Sequence, residues 1–114
     1  MLPKNRRLPR HNFLIAQKQG KSYRFPHLSI VYHPVSPINS QQSRFAIITS
    51  AKLHKHATAR NRLRRHIYNL LQTGNFKPII PADIIIIPRP SMLKLNHDQI
   101  NLALNQVLSK ISLL

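Results

Sequence analysis

Apolar residues recur at steps of three and four in the middle of the chain, the spacing of one buried helix face. The residues with this spacing are Ala59, Leu63, Ile67 and then Leu70 or Leu71. The residues that point the other way are polar, namely Asn61, Arg62, Arg65 and Asn69. The pattern predicts a long helix within Lys52–Leu71, with Thr58 as a candidate N-cap and Gly74 as its stop. Residues 55–57 could already be helical.

Four further stretches have the patterns of strands. His27–His33 alternates with period two and predicts a half-buried strand, and Arg44–Ser50 predicts a second strand that forms a hairpin with it. A shorter strand at Ser22–Phe25 is expected to pair at the edge. Ala82–Ile87 is a nearly continuous β-branched run, which favours a strand covered on both faces. The strand at His27–His33 has Leu28, Ile30 and Tyr32 on one side and Ser29, Val31 and His33 on the other.

A short helix is predicted before these strands, over Arg10–Gln19. Gly20 ends it, and Phe13, Leu14 and Gln17 are expected on or beside its inner face. An aromatic residue at apolar spacing is usually part of a core. A short helix beside a sheet can also leave a groove, in which the ring of Phe13 would stack on an unpaired base. The sequence favours neither position.

An amphipathic helix is predicted at the other end of the chain, over Asn96–Leu113. Asn96 with Gln99 gives a capping-box-like start. The expected buried stripe comprises Ile100, Ala103, Leu104, Val107, Leu108 and Ile111. The element order is α-β-β-(β)-α-β-α, which favours a single α+β domain with helices packed on a mixed sheet. Residues 1–114 form this domain, and residues 1–9 are expected to be a mobile basic arm.

The charge of the long helix indicates that it binds a negatively charged partner. Lys52–Leu71 contains six Lys or Arg, three His and no acid, and the whole chain has a net charge of +16 with Asp83 and Asp98 as its acids. A solvated helix face normally mixes signs, whereas these cations repel one another unless a partner neutralises them. Arg suits phosphate because its planar fork donates two parallel hydrogen bonds. The composition favours nucleic acid as the partner, ahead of an anionic membrane surface.

No segment has the pattern of a signal peptide or a membrane span. The basic start is not followed by an apolar core. The most apolar run, Ile79–Ile87, is broken by Pro81 and Asp83, and a spanning helix needs roughly 20 residues. The chain has no Cys, which excludes disulfides and thiolate metal sites. A cytoplasmic protein that does not bind a membrane is expected.

The ionisable residues offer little to a protein-based catalyst. A two-metal nuclease needs several carboxylates close together, and the chain has two, in different elements. Two of its seven His could act as acid and base, but none has a diagnostic arrangement. Zinc held by His54 and His56 lacks a third and a fourth ligand nearby in sequence. We therefore expect no catalytic residue and no metal ligand from the protein.

The central segment resembles the protein subunit of bacterial ribonuclease P. It reads RFAIITSAKLHKHATARNRLRRHIYNLL, over Arg44–Leu71. The features shared with that family are a basic strand end, an Ala, and Arg-Asn-x-x-Lys/Arg-Arg on a helix. These fall here on Lys52, Ala57, Arg60, Asn61, Arg64 and Arg65. Arg7 and Leu8 before Phe13, the apolar strand ending at Ile87, and the C-terminal helix also fit the family's order.

The resemblance implies a fold and a function. The fold is an α-β-β-β-α-β-α sandwich similar to domain 2 of ribosomal protein S5, with a left-handed β-α-β crossover around the basic helix, a hand that is rare. The function is to assist a catalytic RNA that removes the 5′ leader from precursor tRNA. Hydrolysis would be carried out by Mg²⁺ bound to that RNA. The two RNAs are the implied partners, and no obligatory protein partner is expected.

The resemblance also assigns residues to the two RNAs. The basic helix and the loop before it would face the catalytic RNA, through Lys52, Lys55, Arg60, Asn61, Arg62, Arg64 and Arg65. A cleft between the first helix and the sheet would take the leader, with Phe13, Gln17, Val31 and Tyr32 as its residues. Three features depart from the family. Gln17 stands where an aromatic residue is frequent, and Tyr68 stands where a basic residue is usual. Ile47 and Ile48 replace in part the small residues that are common on the strand before Lys52.

Three hypotheses about function follow. The first is the ribonuclease P protein subunit, a non-catalytic part of a ribonucleoprotein enzyme. The second is a ribosomal or other structural RNA-binding protein, which charge and size fit equally well. The third is a self-sufficient RNase that uses His. The central motif separates the first from the second, and the shortage of acids weighs against metal-dependent forms of the third.

Overall fold

Three helices and a four-stranded sheet make up the described part of the chain, which confirms the α+β prediction. A computed structural model describes residues 7–35, 43–73 and 82–111. The elements in chain order are α1 (Arg10–Gln19), β1 (Lys21–Phe25), β2 (Leu28–Pro34), β3 (Arg44–Ile47), α2 (Ala57–Thr73), β4 (Ala82–Pro88) and α3 (His97–Ile111). A 3-10 turn, Pro90–Lys94, separates β4 from α3.

The sheet has the order β1-β2-β4-β3, so the last strand of the sequence lies in its interior. β4 pairs antiparallel with β2 and parallel with β3. The predicted edge strand is confirmed, because β1 pairs with β2 at the end of the sheet. The predicted hairpin between β2 and β3 is wrong, because β4 lies between them. The continuous apolar run of β4 can be buried on both faces, which is what an interior strand requires.

α2 connects two strands that run in the same direction. β3 and β4 are neighbours, with Phe45 opposite Ile84 and Ile47 opposite Ile86. A tight turn cannot join parallel strands, so the chain between them has to cross over one face of the sheet. α2 makes this crossover, in agreement with the predicted β-α-β unit. The left hand of the crossover stays a prediction of the family resemblance.

Most buried apolar side chains lie between one face of the sheet and the helices α2 and α3. This main core contains the predicted inner face of α2, where Ile67 and Leu71 are fully buried. The sheet contributes Leu28, Ile30, Tyr32, Phe45, Ile84 and Ile86. The predicted stripe of α3 is confirmed for Ile100, Leu104, Val107 and Leu108, with Ala103 partly buried. The side chain of Ile111 and residues 112–114 lie outside the described part.

α1 packs on the opposite face of the sheet through a small second core. Ala16, Val31 and Ile85 form this core, and Phe13 packs partly buried against it. The predicted inner face of α1 is therefore wrong in part, because the side chain of Leu14 is 50% exposed. Small residues let the helix come close. A Cβ atom built on Gly20, where α1 ends, would lie 2.6 Å from the Val31 Cγ1 atom.

The segment before α1 pairs with the free edge of β3. Arg7 forms an isolated parallel bridge with Phe45, and the Leu8 amide donates to the Phe45 carbonyl over 2.9 Å. These two residues belong to the stretch that the sequence predicts to be a mobile arm. They satisfy backbone groups of an edge strand, which would otherwise be open to water or to another chain.

The starts of the two long helices differ from each other. α3 has the predicted capping box, because the Asn96 amide donates to Gln99 Oε1 (3.0 Å) and the Gln99 amide donates to Asn96 Oδ1 (2.9 Å). α2 begins at Ala57, so Thr58 lies inside its first turn and the predicted N-cap is wrong. The predicted stop of α2 at Gly74 lies outside the described residues.

Candidate nucleic-acid interface

The basic surface is built on the outer side of α2 and on the loop that precedes it. Leu63 and Ile67 are buried in the main core and thereby fix the rotation of the helix. One helical turn separates Asn61 from Arg65, which are neighbours on the exposed face together with Arg62. Lys52 and Lys55 are exposed in the loop. These five residues of the predicted RNA-binding set therefore lie on exposed parts of one helix and its leading loop.

The two remaining residues of that set lie on the flank of α2. Arg60 and Arg64 are half-buried and are spaced by one turn, so their side chains lie along the same edge of the helix. The Arg64 Nε atom is buried and has no hydrogen-bond partner in the described part of the chain. The cations of α2 thus form an outer row and a flanking row, and they do not all point in one direction.

The acids of the chain do not neutralise this surface. Asp83 is 2% exposed, and both of its carboxylate oxygens accept hydrogen bonds from Arg44, over 2.9 and 3.0 Å. Asp98 lies in the first turn of α3. The first turn of α2 contains no acid, although the N-terminus of a helix carries a partial positive charge. The start of α2 therefore combines side-chain cations with the helix dipole and favours an anion.

The histidines of the loop have a local structural role. The His56 amide donates to the His54 Nδ1 atom over 3.0 Å, and the two ring centroids lie 5.3 Å apart. His54 Nδ1 is therefore an acceptor, which leaves its proton on Nε2. This contact shapes the turn that leads into α2. In the described part of the chain, no group of three His or acidic residues could hold a metal ion.

A second pair of histidines joins α2 to α3. His66 Nε2 lies 2.6 Å from His97 Nδ1, and the two rings are inclined by only 16°. Burial and, less strongly, the neighbouring His97 lower the pKa of His66 below its usual value of 6.5. A hydrogen bond between two imidazoles needs one nitrogen without a proton. The contact is therefore made when at least one of the two rings is neutral.

The four residues predicted for the leader cleft do not all come together. Phe13 and Val31 meet at the small core under α1, and Gln17 is exposed on α1. Tyr32 points to the other face of the sheet and belongs to the main core, where it is 7% exposed. Burial, and to a lesser degree Tyr23, raises the pKa of Tyr32. Tyr32 is thus removed from the cleft, because successive residues of a strand point to opposite faces.

The face that Val31 shares contains polar residues that the prediction did not include. Ser29 lies opposite Ile87 in the pairing of β2 with β4 and points to the same side as Val31. The Ser29 hydroxyl accepts a hydrogen bond from Arg89 Nη1 over 2.7 Å. The alternation of β2 could have identified Ser29 from the sequence. Arg89 could not be identified, because it is far from β2 in the sequence and only the folded sheet brings the two together.

Arg89 is held in place by the turn between β1 and β2. Its amide donates to the His27 carbonyl over 2.8 Å, and His27 Nδ1 lies 2.9 Å from the Ser91 hydroxyl. His27 has a φ of 70°, a left-handed conformation that is uncommon for residues other than glycine. The contacts with Arg89 and Ser91 stabilise this turn. The hydrogen bond to the Ser29 hydroxyl holds the Arg89 guanidinium group on the same face as Val31.

The chain is similar to ribonuclease P proteins in sequence. The family model described as Ribonuclease P matches residues 2–112. The ribonuclease P protein component of Synechocystis sp. is 32% identical over 116 residues, which cover 99% of this chain and 90% of that protein. The corresponding protein of Microcystis aeruginosa is 34% identical over 117 residues, which cover 99% of this chain and 96% of that protein.

Solved structures show the same fold. The RNase P protein from Thermotoga maritima superposes with a TM-score of 0.79 at 24% identity, over 92% of this chain and 96% of that chain. The Staphylococcus aureus RNase P protein gives 0.75 at 25% identity, over 89% of each chain. No helix in the described ranges is long and apolar enough to cross a membrane. With a family match over nearly its whole length, this chain belongs to the ribonuclease P protein family.

Proposed function

We propose that this chain is the protein subunit of ribonuclease P in the cytoplasm. In this proposal it binds the catalytic RNA and the 5′ leader of precursor tRNA, and the RNA removes the leader. One observation carries the proposal beyond family membership, namely the acid-free row of Asn61, Arg62 and Arg65 on a helix whose opposite side is buried. Because its opposite side is buried, the helix cannot rotate, and these cations stay exposed to solvent.

The outer row and the loop are proposed to bind phosphates of the catalytic RNA. The chain carries 18 Lys and Arg against two acids, and one of the acids is occupied by Arg44. Neutralising phosphates releases counterions from the RNA, which drives binding and makes it sensitive to salt. Arg62 and Arg65 can each form paired hydrogen bonds with a phosphate, while Lys52 and Lys55 act as point charges.

The face of the sheet beside α1 is proposed to take the leader. Phe13 and Val31 supply apolar surface there, and Arg89 supplies a fixed cation beside Ser29. Single-stranded RNA is bound in this way generally, with rings that stack on bases and cations that follow the backbone. Gln17, exposed on α1, is placed to donate a hydrogen bond to a base edge or a sugar. Tyr32 has no part in this proposal.

Magnesium is proposed to be held by the RNA. The hydrolytic step needs a cage of oxygen ligands, and the protein has two carboxylates, of which Asp83 is bound by Arg44 and Asp98 lies on α3. These residues do not fit a protein-held metal site. The cations of the protein would instead replace part of the ionic screening that phosphates of the two RNAs require. No further protein partner is needed for this role.

Reconstitution tests this function. A transcribed bacterial ribonuclease P RNA and a precursor tRNA are mixed with and without the protein, at magnesium concentrations too low for the RNA alone. We expect the protein to restore cleavage at the mature 5′ end and to be inactive without the RNA. Cleavage by RNA-free protein would contradict the proposal, and binding without any gain in cleavage would favour a purely structural RNA-binding protein.

Arg65→Ala tests which face meets the catalytic RNA. We expect weaker binding and a log–log salt dependence that is flatter by roughly 0.7 to 0.9, the contribution of one phosphate. Lys110→Ala is the matched control, because Lys110 is an exposed cation on α3. Both variants are titrated with the RNA at several salt concentrations. Equal slopes for the two variants would show that the outer row of α2 does not contact the RNA.

A further inference from the structure

The contact between His66 and His97 joins two helices whose positions are already fixed by other residues. His66 lies on α2 between the buried residues Leu63 and Ile67, which set the rotation of that helix. His97 is the first residue of α3, and the start of α3 is fixed by its capping box. The two imidazole rings therefore approach each other from backbone positions that are held independently.

The facing atoms of this pair are His66 Nε2 and His97 Nδ1, which lie 2.6 Å apart. The ring planes are nearly parallel, and the ring centroids are 4.6 Å apart. Because the centroids are so much further apart than the nitrogen atoms, the rings meet edge to edge and the two nitrogen atoms point at each other. Two such nitrogen atoms can share one proton, or both can bind one metal ion. Zn–N distances of about 2.0 to 2.1 Å place two tetrahedral ligand atoms roughly 3.3 Å apart, so a separation of the rings by roughly 0.7 Å admits the ion.

The chemistry of the two ligands selects the kind of ion. Neutral imidazole suits transition metals such as Zn²⁺, Ni²⁺ and Cu²⁺, whereas Mg²⁺ prefers oxygen ligands. The usual pKa of imidazole is about 6.5, so the neutral form predominates at about pH 7.5. In the hydrogen-bonded pair, one of the facing nitrogen atoms carries a proton. When both facing atoms bind an ion, that proton moves to the other nitrogen of the same ring, and no proton is released.

The charges near the pair act on a bound cation in both directions. Arg65 precedes His66 in the sequence, and the positive end of the α3 dipole lies at His97. Asp98 follows His97 in the first turn of α3 and brings one of the two acids of the chain to this end. His97 is exposed and His66 is half-buried. Water therefore has access from the side of His97 and can complete the coordination of an ion.

We propose that His66 and His97 together bind one divalent transition-metal ion of the Zn²⁺ type, with water in the remaining positions. The ion replaces one hydrogen bond by two coordinate bonds and ties α3 to the helix that carries the outer row of cations. The site is separate from the Mg²⁺ of the proposed function, and it does not depend on that function. The sequence predicted no metal ligand from the protein, because these two histidines are 31 residues apart.

Calorimetric titration with Zn²⁺ tests the site on the full-length protein without RNA, after treatment with a chelator. His66→Gln and His97→Gln should each weaken binding by about tenfold or more, because even the loss of an outer partner of a metal ligand has a cost of that size. A large excess of Mg²⁺ should not displace Zn²⁺. His54→Gln removes an imidazole from the other pair of histidines, and it should change the affinity by less than about twofold, because distant sites act independently.

Two further measurements identify the atoms that bind the ion and its effect on the fold. In the nitrogen NMR spectrum of the imidazole groups, Zn²⁺ should shift His66 Nε2 and His97 Nδ1 and leave the proton on the other nitrogen of each ring. The resonances of His54 and His56 should not shift. Zn²⁺ should also raise the melting temperature of the wild type but not that of His97→Gln, because an ion that binds only the folded state stabilises it.

Two results would overturn the site. One is a Zn²⁺ affinity of His97→Gln equal to that of the wild type, which would place the ion elsewhere. The other is a wild type that binds Zn²⁺ no more tightly than the double variant of His66→Gln and His97→Gln. His97 is exposed at the end of a helix, so His97→Gln keeps the test valid even if His66→Gln disturbs α2. Because no measurement uses RNA, failure of the site leaves the proposed function standing, and failure of RNA binding leaves the site standing.

Discussion

The two faces of the sheet are made by the same strands but differ in composition. In the described part of the chain, seventeen buried residues form the main core between one face and the helices α2 and α3, whereas three form the small core between the other face and α1. The face with the small core also carries polar residues, and there Arg89 donates a hydrogen bond to the hydroxyl group of Ser29 rather than to an acid. Period-two alternation allows β2 to serve both faces. Most of the buried apolar surface thus lies on one face, which leaves the other face for the proposed leader site.

The largest difference between the two faces is expected in the free energy of unfolding after one side chain is truncated on each face. Ile67→Ala removes a fully buried side chain from the main core, and we expect a loss of about 2 to 5 kcal/mol in the free energy of unfolding. Val31→Ala removes fewer atoms from the smaller core and should cost about 1 to 2 kcal/mol. Urea unfolding of both variants gives the two values. A cost for Val31→Ala equal to that for Ile67→Ala would refute the assignment of stability to one face.

Phe13→Ala tests whether the face toward α1 binds the leader. Phe13 is only partly buried against the small core, so we expect its ring to contribute to RNA binding. Loss of a stacked ring should weaken binding of precursor tRNA to the assembled enzyme by roughly 1 to 3 kcal/mol. Binding of mature tRNA and of the catalytic RNA should be nearly unchanged, because neither involves the leader.

The melting curve of Phe13→Ala supplies the control. Truncation of a fully buried Phe costs about 3 to 5 kcal/mol, which would lower the melting temperature as strongly as Ile67→Ala does. A large fall in melting temperature, together with equal losses for precursor and mature tRNA, would place Phe13 in the core rather than in a binding groove. The two outcomes are distinguished by one variant and two kinds of measurement.

The smallest effect is expected from pH, at the contact between α2 and α3. The folded state holds the pKa of His66 below its usual value of 6.5, by burial first and by His97 second. The stability that neutral His66 contributes is therefore fully present above about pH 6.5, and it declines as pH falls, because the unfolded chain takes up the proton first. His66→Gln removes this dependence. Unfolding of both proteins at about pH 7.5 and about pH 5.5 measures the difference.

A matched variant separates this contact from the other histidines. His11 is exposed on α1, which packs on the opposite face of the sheet from α2 and α3. His11→Gln should leave the pH dependence of stability close to that of the wild type. If the stability of the wild type relative to His66→Gln stays constant over this pH range, the lowered pKa of His66 has no role in stability.

Local patterns were sufficient to predict the elements and most of the main core. The three-and-four spacing of Leu63 and Ile67 identified the buried side of α2, and the pair Asn96 and Gln99 identified the start of α3. These features depend on residues within one or two turns of each other. Local spacing also identified which cations of α2 are exposed, because the rotation of an amphipathic helix follows from its apolar side.

Long-range pairing was not predictable in the same way. The hairpin between β2 and β3 was the simplest connection, and nothing between them shows that β4 will separate them. The inner face of α1 was predicted correctly for Phe13 but wrongly for Leu14, because the contact of α1 with the sheet uses the smaller Ala16. Tyr32 was assigned to the cleft by resemblance, although the alternation of its own strand already set it on the side of Leu28 and Ile30. The position of Arg89 beside Ser29 could be seen only in the folded structure.

The position of β4 in the interior of the sheet also determines when the sheet can be completed during synthesis. β1 and β2 form a local pair as soon as both have left the ribosome, but β2 and β3 then wait for a strand that follows α2. Pairings between segments so far apart carry a loop-closure cost and are slow to form. The nascent chain therefore exposes two unpaired strand edges and an uncovered apolar surface while its cationic helix has already been synthesised. In the proposed function, binding of RNA at that stage orders α2 before its core exists, and the RNA then acts in assembly of the fold as well as in its use.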